Sequence, residues 1–363
     1  MLNEPAVKQA LRRVTDVGGS GDIVSNNRVQ KINITEGVVK ISLALPTTDR
    51  DERERIEDAC FDTVMALEGV KDVGVVVQSP KSDTGAKAGQ RPPGPPSSEN
   101  PFDGQAPIAG IRHIIAIASG KGGVGKSTVA VNLALALHKR GARVGLLDAD
   151  VYGPSLPILL GAHDKPRAGK TKEISPLEKD GIKLMSLGFL TQPGMPVIWR
   201  GPIVMGVIKK LLLGVEWGEL DYLLVDLPPG TGDVQLTLVQ TVPITGAIIV
   251  TTPSELALVD AERGLRMFEE VNVPVFGIVE NMSTFVCPHC GEKTDIFDTG
   301  GGEKIGKRTR TDVLGHIPLD PRVRAGGDDG NPIVKLDAES PISQAFFAVA
   351  DKILEHYPMD SVH

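Results

Sequence analysis

Two hydrophobic periods divide the chain. From Val29 to Ile34 and from Val38 to Leu45 apolar and polar residues alternate, which predicts two half-buried strands joined at Thr35-Glu36-Gly37. Residues 4–14 repeat apolar positions at helical spacing, and residues 51–68 place Ile56, Cys60, Val64 and Leu67 on one helical face. Val73–Gln78 reads as a last strand. This α-β-β-α-β order predicts a small α+β domain over residues 1–78, with Cys60 as plain core. Beyond residue 110 the alternation disappears. Continuous apolar runs occupy Ile114–Ser119, Val144–Asp148, Tyr222–Asp226, Ala247–Thr252 and Val275–Glu280, with helical patterns between several of them. Strands apolar on both faces belong to a parallel sheet covered on both sides. Residues 111–363 are therefore predicted to form an α/β domain with a doubly wound, mostly parallel sheet. Such sheets bind ligands beyond the carboxyl ends of their strands.

Between the two patterns, residues 79–110 hold 7 of the chain's 27 prolines and 5 glycines. That stretch offers too little apolar surface to offset its ordering entropy and reads as a linker. Composition narrows the function. Glycine is abundant, 41 of 363 residues, and aromatics are only 4%; this favours tight turns around a small ligand over stacking on bases. The net charge of −7 argues against nucleic acid as a partner. No apolar run approaches the ~20 residues that span a bilayer, and the first residues, MLNEPAVKQALRRVTD, lack the apolar stretch of a signal peptide. The expectation is a cytoplasmic protein with reduced thiols and no membrane partner.

The strand Ile114–Ser119 runs into Gly120-Lys121-Gly122-Gly123-Val124-Gly125-Lys126-Ser127 and then a helix. This is a G-x-x-x-x-G-K-[ST] phosphate loop in its required setting. Glycines let backbone N–H groups point at phosphate oxygens, and the helix N-terminus adds positive potential. Lys126 is expected to neutralise the β and γ phosphates of ATP, and the Ser127 hydroxyl to ligate Mg²⁺ with Thr128 behind it. Two strand ends add carboxylates: Asp148 and Asp150 in LLDADVYGPS, and Asp226 in YLLVDLPPGTGD. Asp226 reads as the carboxylate facing Mg²⁺ through water, and the Gly230 N–H as a candidate γ-phosphate sensor.

Lys121, a second lysine inside the loop, resembles the signature lysine of the deviant Walker A motif in the MinD/ParA class. The resemblance implies that Lys121 acts on a partner's nucleotide across a dimer, that Asp150 handles the attacking water, and that nucleotide switches dimer states. Within that class one feature discriminates. After the strand Val275–Glu280, a loop carries Cys287-Pro288-His289-Cys290. The chain has only three cysteines, so it contains no four-thiol site of its own. Two thiols from each of two chains would hold one cluster; a redox pair, a zinc site completed by His289, His316 or a partner, and plain surface cysteines are the competing readings.

The stretches ASGKGGVGKSTVAVNLALAL, LLDADVYGPS, YLLVDLPPGTGD, TTPSELALVDAERGLRMF, VENMSTFVCPHCGE and LGHIPLDPRVR are similar to the Mrp/ApbC family of iron–sulfur cluster carrier ATPases. The small domain is similar to the one that precedes bacterial members, although Asp16-Val17-Gly18-Gly19 stands where that domain usually has an Asp-Pro-Glu turn. The resemblance implies a homodimer that binds a labile [4Fe–4S] cluster at Cys287 and Cys290, hands it to apo-iron–sulfur proteins after receiving it from an assembly scaffold, and hydrolyses ATP slowly. It also implies that Asn281 touches adenine, with Pro318–Asp320 nearby. The rival is a MinD/ParA-like switch ATPase without a cluster. The C-terminal segment SPISQAFFAVADKILEHY is apolar on one face but not basic, which predicts a packing helix and not a membrane anchor.

Overall fold

The computed structural model describes residues 2–19, 21–35, 38–47, 50–67, 69–70, 72–78, 105, 107–168, 173–191, 201–287 and 289–359. The expected turn at Glu36-Gly37 and most of the expected linker 79–110 lie outside the described residues. The chain divides into two compact units, Met1–Pro96 and Ser97–His363.

In the first unit the elements are α1 (Glu4–Leu11), β1 (Val29–Thr35), β2 (Val38–Ala44), α2 (Arg50–Met65) and β3 (Asp72–Gln78). Strands β1 and β2 pair antiparallel, β2 and β3 parallel, with α2 as the crossover. Alternation along the strands buries Ile32, Val39, Ile41 and Leu43 against Val7 and Leu11 of α1 and Ile56, Cys60 and Val64 of α2. Helix α1 starts where the Asn3 side chain accepts the Ala6 N–H at 2.9 Å. It stops at Leu11, three residues before the helical pattern does, because the chain turns so that Thr15 can bridge to Asp22. The buried Asp16 carboxylate then accepts from Asn26 (2.7 Å) and Arg28 (2.8 Å), fixing the turn that contains Gly18 and Gly19.

The second unit begins with β4 (Ile111–Ala118), α3 (Lys126–Lys139), β5 (Val144–Asp148) and α4 (Leu156–Leu159). Short strands β6 (Arg167–Ala168), β7 (Ile174–Ser175) and β8 (Leu177–Lys179) lead to β9 (Ile182–Ser186). There follow α5 (Gly201–Leu213), β10 (Leu220–Asp226), α6 (Asp233–Thr241), β11 (Gly246–Thr251), α7 (Glu255–Glu270) and β12 (Val275–Val286). The chain closes with β13 (Lys293–Thr294), α8 (Gly301–Thr309), β14 (Val313–Leu319), α9 (Pro321–Asp328), α10 (Ile333–Leu336) and α11 (Pro341–His356). Among the described residues the large sheet has nine strands in the order β13-β12-β11-β4-β10-β5-β9-β8, with β14 also on β12. All pairings are parallel except those of β13 and β8.

Apolar layers cover both faces. Leu133 and Leu137 of α3 and Phe346 and Ile353 of α11 pack on one side, and Leu211, Leu238, Leu265 and Phe268 of α5, α6 and α7 on the other. The doubly wound α/β architecture read from the apolar runs is the one observed. Because β4, β5, β10, β11 and β12 are parallel, their carboxyl ends share one edge, and that edge carries the phosphate loop and the acidic strand ends. The C-terminal segment is a packing helix: α11 buries one face, and the Tyr222 hydroxyl donates to the Tyr357 carbonyl just beyond it. Among the described residues no helix is long and apolar enough to cross a membrane.

The strands differ from the sequence pattern at several places: β4 starts at Ile111, and β8, β9 and β13 join the sheet without an apolar run that predicts them. Strand β12 does not end at Glu280 but runs to Val286, and β14 is a strand that the pattern does not predict. Parallel pairing with β14 (Glu280 opposite His316, Asn281 opposite Ile317) and an antiparallel hairpin with β13 (Val286 opposite Lys293) supply backbone partners that the polar run Asn281–Thr284 conceals. The left-handed backbone of Met282 (φ 55) marks the irregularity in β12 that follows.

Cys60 is fully buried and burial, with Glu57 adding, pushes its thiol up to about 12. Native protein is therefore expected to react with a thiol reagent quickly at two positions, Cys287 and Cys290, and at the third only on unfolding. Three fast thiols would contradict the core assignment.

Candidate functional site

The phosphate loop is built by close packing around its glycines. A side chain at Gly120 would lie 2.1 Å from the Asp260 backbone in α7, so only glycine fits. Gly123 (φ 81) and Gly125 (φ 79) adopt left-handed backbone that other residues avoid. Gly125 caps α3 without any side-chain hydrogen bond, leaving the first N–H groups of the helix free for an anion. Val124 is buried, Gly122 packs near Pro229, and Lys121 makes no ion pair with the described residues while its carbonyl accepts from the Ser119 hydroxyl at 3.0 Å.

Lys126 is buried at the head of α3. Its ammonium lies 2.5 Å from Asp226 Oδ1 and 3.4 Å from Ser127 Oγ. Asp226 is fully buried, and its Oδ2 has no hydrogen-bond partner. Burial raises the Asp226 carboxyl above the usual carboxylate range against the pull of Lys126. An orphaned carboxylate oxygen beside a lysine and a serine hydroxyl fits a hydrated divalent cation. Ser127 and Asp226 are the residues that would hold it, with Thr128 next along α3.

Asp148 spends its carboxylate on the loop that follows β5. Oδ1 accepts from Asp150 N–H (3.1 Å), and Oδ2 accepts from Ser155 N–H (2.9 Å), Leu156 N–H (3.3 Å) and the Ser186 hydroxyl (3.1 Å). Burial, with Asp226 adding, pushes its carboxyl up to about 7. Asp150 accepts from Gly153 N–H at 3.1 Å and lines a cavity of about 510 Å³ with Tyr152, Met205, Pro228 and Pro229. The Gly230 N–H donates to the Ser119 carbonyl at 2.9 Å, so a phosphate contact there requires that bond to open. The Gln235 amide holds the same loop by donating to Pro228 and Gly230 carbonyls, both at 2.8 Å. The sequence pattern does not single out Ser186 or Gln235; their contacts join residues 38 and 5 to 7 positions apart across loops that no local pattern reports.

Midway along β12 the Asn281 side-chain amide donates to the Val124 carbonyl of the phosphate loop at 2.8 Å. The neighbouring Glu280 is buried and accepts from Gly302 N–H (2.6 Å) and faces His316 Nδ1 (3.0 Å), whose Nε2 lies 2.8 Å from Glu303. A lone glutamate in an apolar strand is the sequence signal for this pair. With both ring nitrogens engaged by carboxylates, His316 is not free to complete a thiol site.

The cysteines sit at the tip of the β12–β13 hairpin. Cys287 N–H donates to Glu292 carbonyl and Gly291 N–H to Cys287 carbonyl, each at 2.9 Å, and Gly291 has φ 75. Cys287 is half-buried, and Cys290 and His289 are exposed. Backbone N–H groups of Cys290 and His289, then the Cys290 thiol, hold the Cys287 thiol below its usual range. Amides aimed at sulfur favour a thiolate, the form that ligates metal.

The profile of the family described as "NUBPL iron-transfer P-loop NTPase" matches residues 110–354, and that of "Iron-sulfur cluster assembly protein" matches residues 4–77. A Synechocystis sp. protein named "Iron-sulfur cluster carrier protein" is 45% identical over 358 residues, 97% of each chain. Among solved structures, a nucleotide-binding protein of Archaeoglobus fulgidus in complex with ADP is 40% identical, with TM-score 0.56 over 65% of this chain and 92% of that one. The cell division ATPase MinD of Pyrococcus furiosus is 25% identical, with TM-score 0.52 over 67% and 99%.

The Glu280–His316 pair carries a pH signature. The hydrogen bond to Glu280 leads in raising His316 above its ordinary 6.5, with Glu303 adding. Burial pushes Glu280 up, but the His316 and Gly302 bonds outweigh it and leave Glu280 below its ordinary 4.5. A raised histidine stabilises fully below 6.5 and stops doing so as pH rises through its folded value; a lowered glutamate stabilises above 4.5 and stops as pH falls through its own. His316→Ala is thus expected to cost most between those two values and less at about pH 8. A cost independent of pH in denaturant titrations would contradict the charged pair.

Proposed function

Because the chain belongs to the NUBPL iron-transfer P-loop NTPase family, we propose that it is an iron–sulfur cluster carrier: a homodimer that holds a [4Fe–4S] cluster between two copies of Cys287 and Cys290, receives it from an assembly scaffold and delivers it to apo-proteins in the cytoplasm. The observation that carries this reading is the thiol pair, exposed on a hairpin tip with Cys287 biased toward thiolate by backbone amides. Two thiols are half of the four ligands that such a cluster takes, and His316, engaged by Glu280 and Glu303, is not free to complete the set. The Synechocystis relative, named an iron–sulfur cluster carrier protein and matching nearly the whole chain, supports the same role. A MinD/ParA-like switch without a cluster leaves the hairpin unexplained. We assign residues 1–78 to a module of their own, 79–110 to a linker and 111–363 to the ATPase.

The nucleotide chemistry follows from the chain's own groups. Backbone N–H groups from Gly120 to Thr128, including those of Gly122, Gly123, Val124 and Gly125, cradle the phosphates of ATP. Lys126 leaves Asp226 for the β and γ phosphates, which removes the lysine's buried partner and replaces it with a stronger anion. Mg²⁺, when bound, supplies Lewis-acid polarisation of the phosphates. The Ser127 hydroxyl would ligate it, with the Asp226 carboxylate beside it as an acceptor. Asp148 fixes the loop that presents Asp150, and Asp150 orients the attacking water. Lys121, without an ion pair among the described residues, reaches the nucleotide of the second protomer. The Gly230 N–H exchanges the Ser119 carbonyl for the γ-phosphate, so nucleotide state is felt in the loop that Gln235 holds.

Cluster transfer to an apo-acceptor, followed with and without ATP, tests the reading. Wild type is expected to transfer, and Cys287→Ser to carry nothing. Lys126→Ala should lose ATP binding, while Asp150→Ala keeps it and hydrolyses about a hundredfold more slowly. Hydrolysis unchanged in Asp150→Ala would remove its assigned role, and cluster carriage by Cys287→Ser would refute the ligand set.

A further inference from the structure

Asn281 occupies an unusual place. From the middle of β12 its amide closes onto the phosphate loop, donating to the Val124 carbonyl across 157 positions of sequence. The contact is tight: a Cβ on Gly125 would stand 2.4 Å from the Asn281 amide nitrogen and 3.4 Å from the Met282 methyl. Consecutive residues of a regular strand point to opposite faces. Met282, held at φ 55, breaks that alternation, and both Asn281 and Met282 come against Gly125. A left-handed non-glycine residue is strained and persists only where its surroundings impose it. The backbone on the other side is pinned as well, since Glu280 is fixed by Gly302 N–H and His316.

We propose that Asn281 is a positioning residue for phosphate binding. In a trans peptide the carbonyl and the following N–H point in opposite directions. Tying the Val124 carbonyl to β12 therefore turns the Gly125 N–H away from β12 and holds one peptide plane of the loop before any ligand arrives. Phosphate then binds to a loop already ordered at this point, and no entropy is lost in ordering it. This role is independent of the base, unlike the adenine contact that resemblance assigns to Asn281. It rests on the reading of residues 120–127 as a triphosphate site.

The test compares ligands with and without adenine. Dissociation constants for Mg-ATP, Mg-GTP and magnesium tripolyphosphate are measured by calorimetry on wild type, Asn281→Ala and Asn281→Asp. The aspartate keeps the shape of the side chain but loses the donor and adds a negative charge, so the neutral Asn281→Leu, of similar size and without a donor, is measured beside it to separate the hydrogen bond from charge repulsion and packing. Loss of one buried amide–carbonyl bond is expected to weaken all three ligands by the same factor, about tenfold, with the ATP-to-GTP ratio unchanged. Weaker binding of ATP alone, with tripolyphosphate as in wild type, would overturn the proposal and leave an adenine contact. So would an Asn281→Asp variant that binds all three as tightly as wild type. If wild type binds none of them and Lys126→Ala is no different, the phosphate-site reading itself fails.

Discussion

A lysine and two aspartates buried at one edge of a parallel sheet set the terms for the rest of the molecule. Removing a charge from water costs several kcal/mol unless it is paired and hydrogen-bonded. Lys126 meets that requirement through Asp226, and Asp148 through four donors. Asp226 meets it only in part, because one oxygen has no partner. The groups can be held this close only because β4, β5 and β10 run parallel in register, with Asp226 beside Ile117 on one side and Asp148 on the other. A fold that buries an incompletely compensated carboxylate is one prepared for a cation and an anion together, which is what a metal-bound triphosphate brings.

Strand β12 carries the second constraint. Within its twelve residues it anchors Glu280 to His316, ties Asn281 to the phosphate loop, bends at Met282 and ends one residue before Cys287. The proposed nucleotide site and the proposed cluster ligands therefore share one continuous backbone. Any rearrangement that moves Asn281 acts on a strand whose far end is the thiol hairpin. A strand cross-linked on both sides by β11 and β14 transmits displacement better than a loop of equal length would.

Much of this is legible in the residues. Strands β4, β5, β10 and β11 are apolar on both faces, and in a chain with helices between such runs that pattern means a parallel sheet covered on both sides. The phosphate loop is equally plain, because each glycine answers a local demand of backbone or packing. The thiol pair can be located in the sequence, but not its setting. β12 looks finished at Glu280 because Asn281, Ser283 and Thr284 are polar, and only pairing with β13 and β14 keeps it extended. β14 hides behind Gly315, His316 and Pro318, residues that read as loop. Contacts such as Ser186 to Asp148 and Asn281 to Val124 depend on tertiary placement and leave no trace in periodicity. The Gly230 N–H illustrates the opposite case: its position near the phosphate loop follows from the motif, but its bond to Ser119 does not.

The thiol count gives the account its sharpest edge. A single chain presents Cys287 and Cys290 on a hairpin while Cys60 is sealed in another core. On the proposed reading a second copy supplies the other two ligands of a four-ligand cluster, an arrangement that suits a carrier because neither chain encloses the cluster alone. The direct measurement is native mass spectrometry of protein reconstituted anaerobically with iron and sulfide. The account predicts two chains with one [4Fe–4S] cluster, and separate chains with no cluster when Cys290 is replaced by serine. A cluster retained on a single chain, or one that survives loss of Cys290, would contradict it.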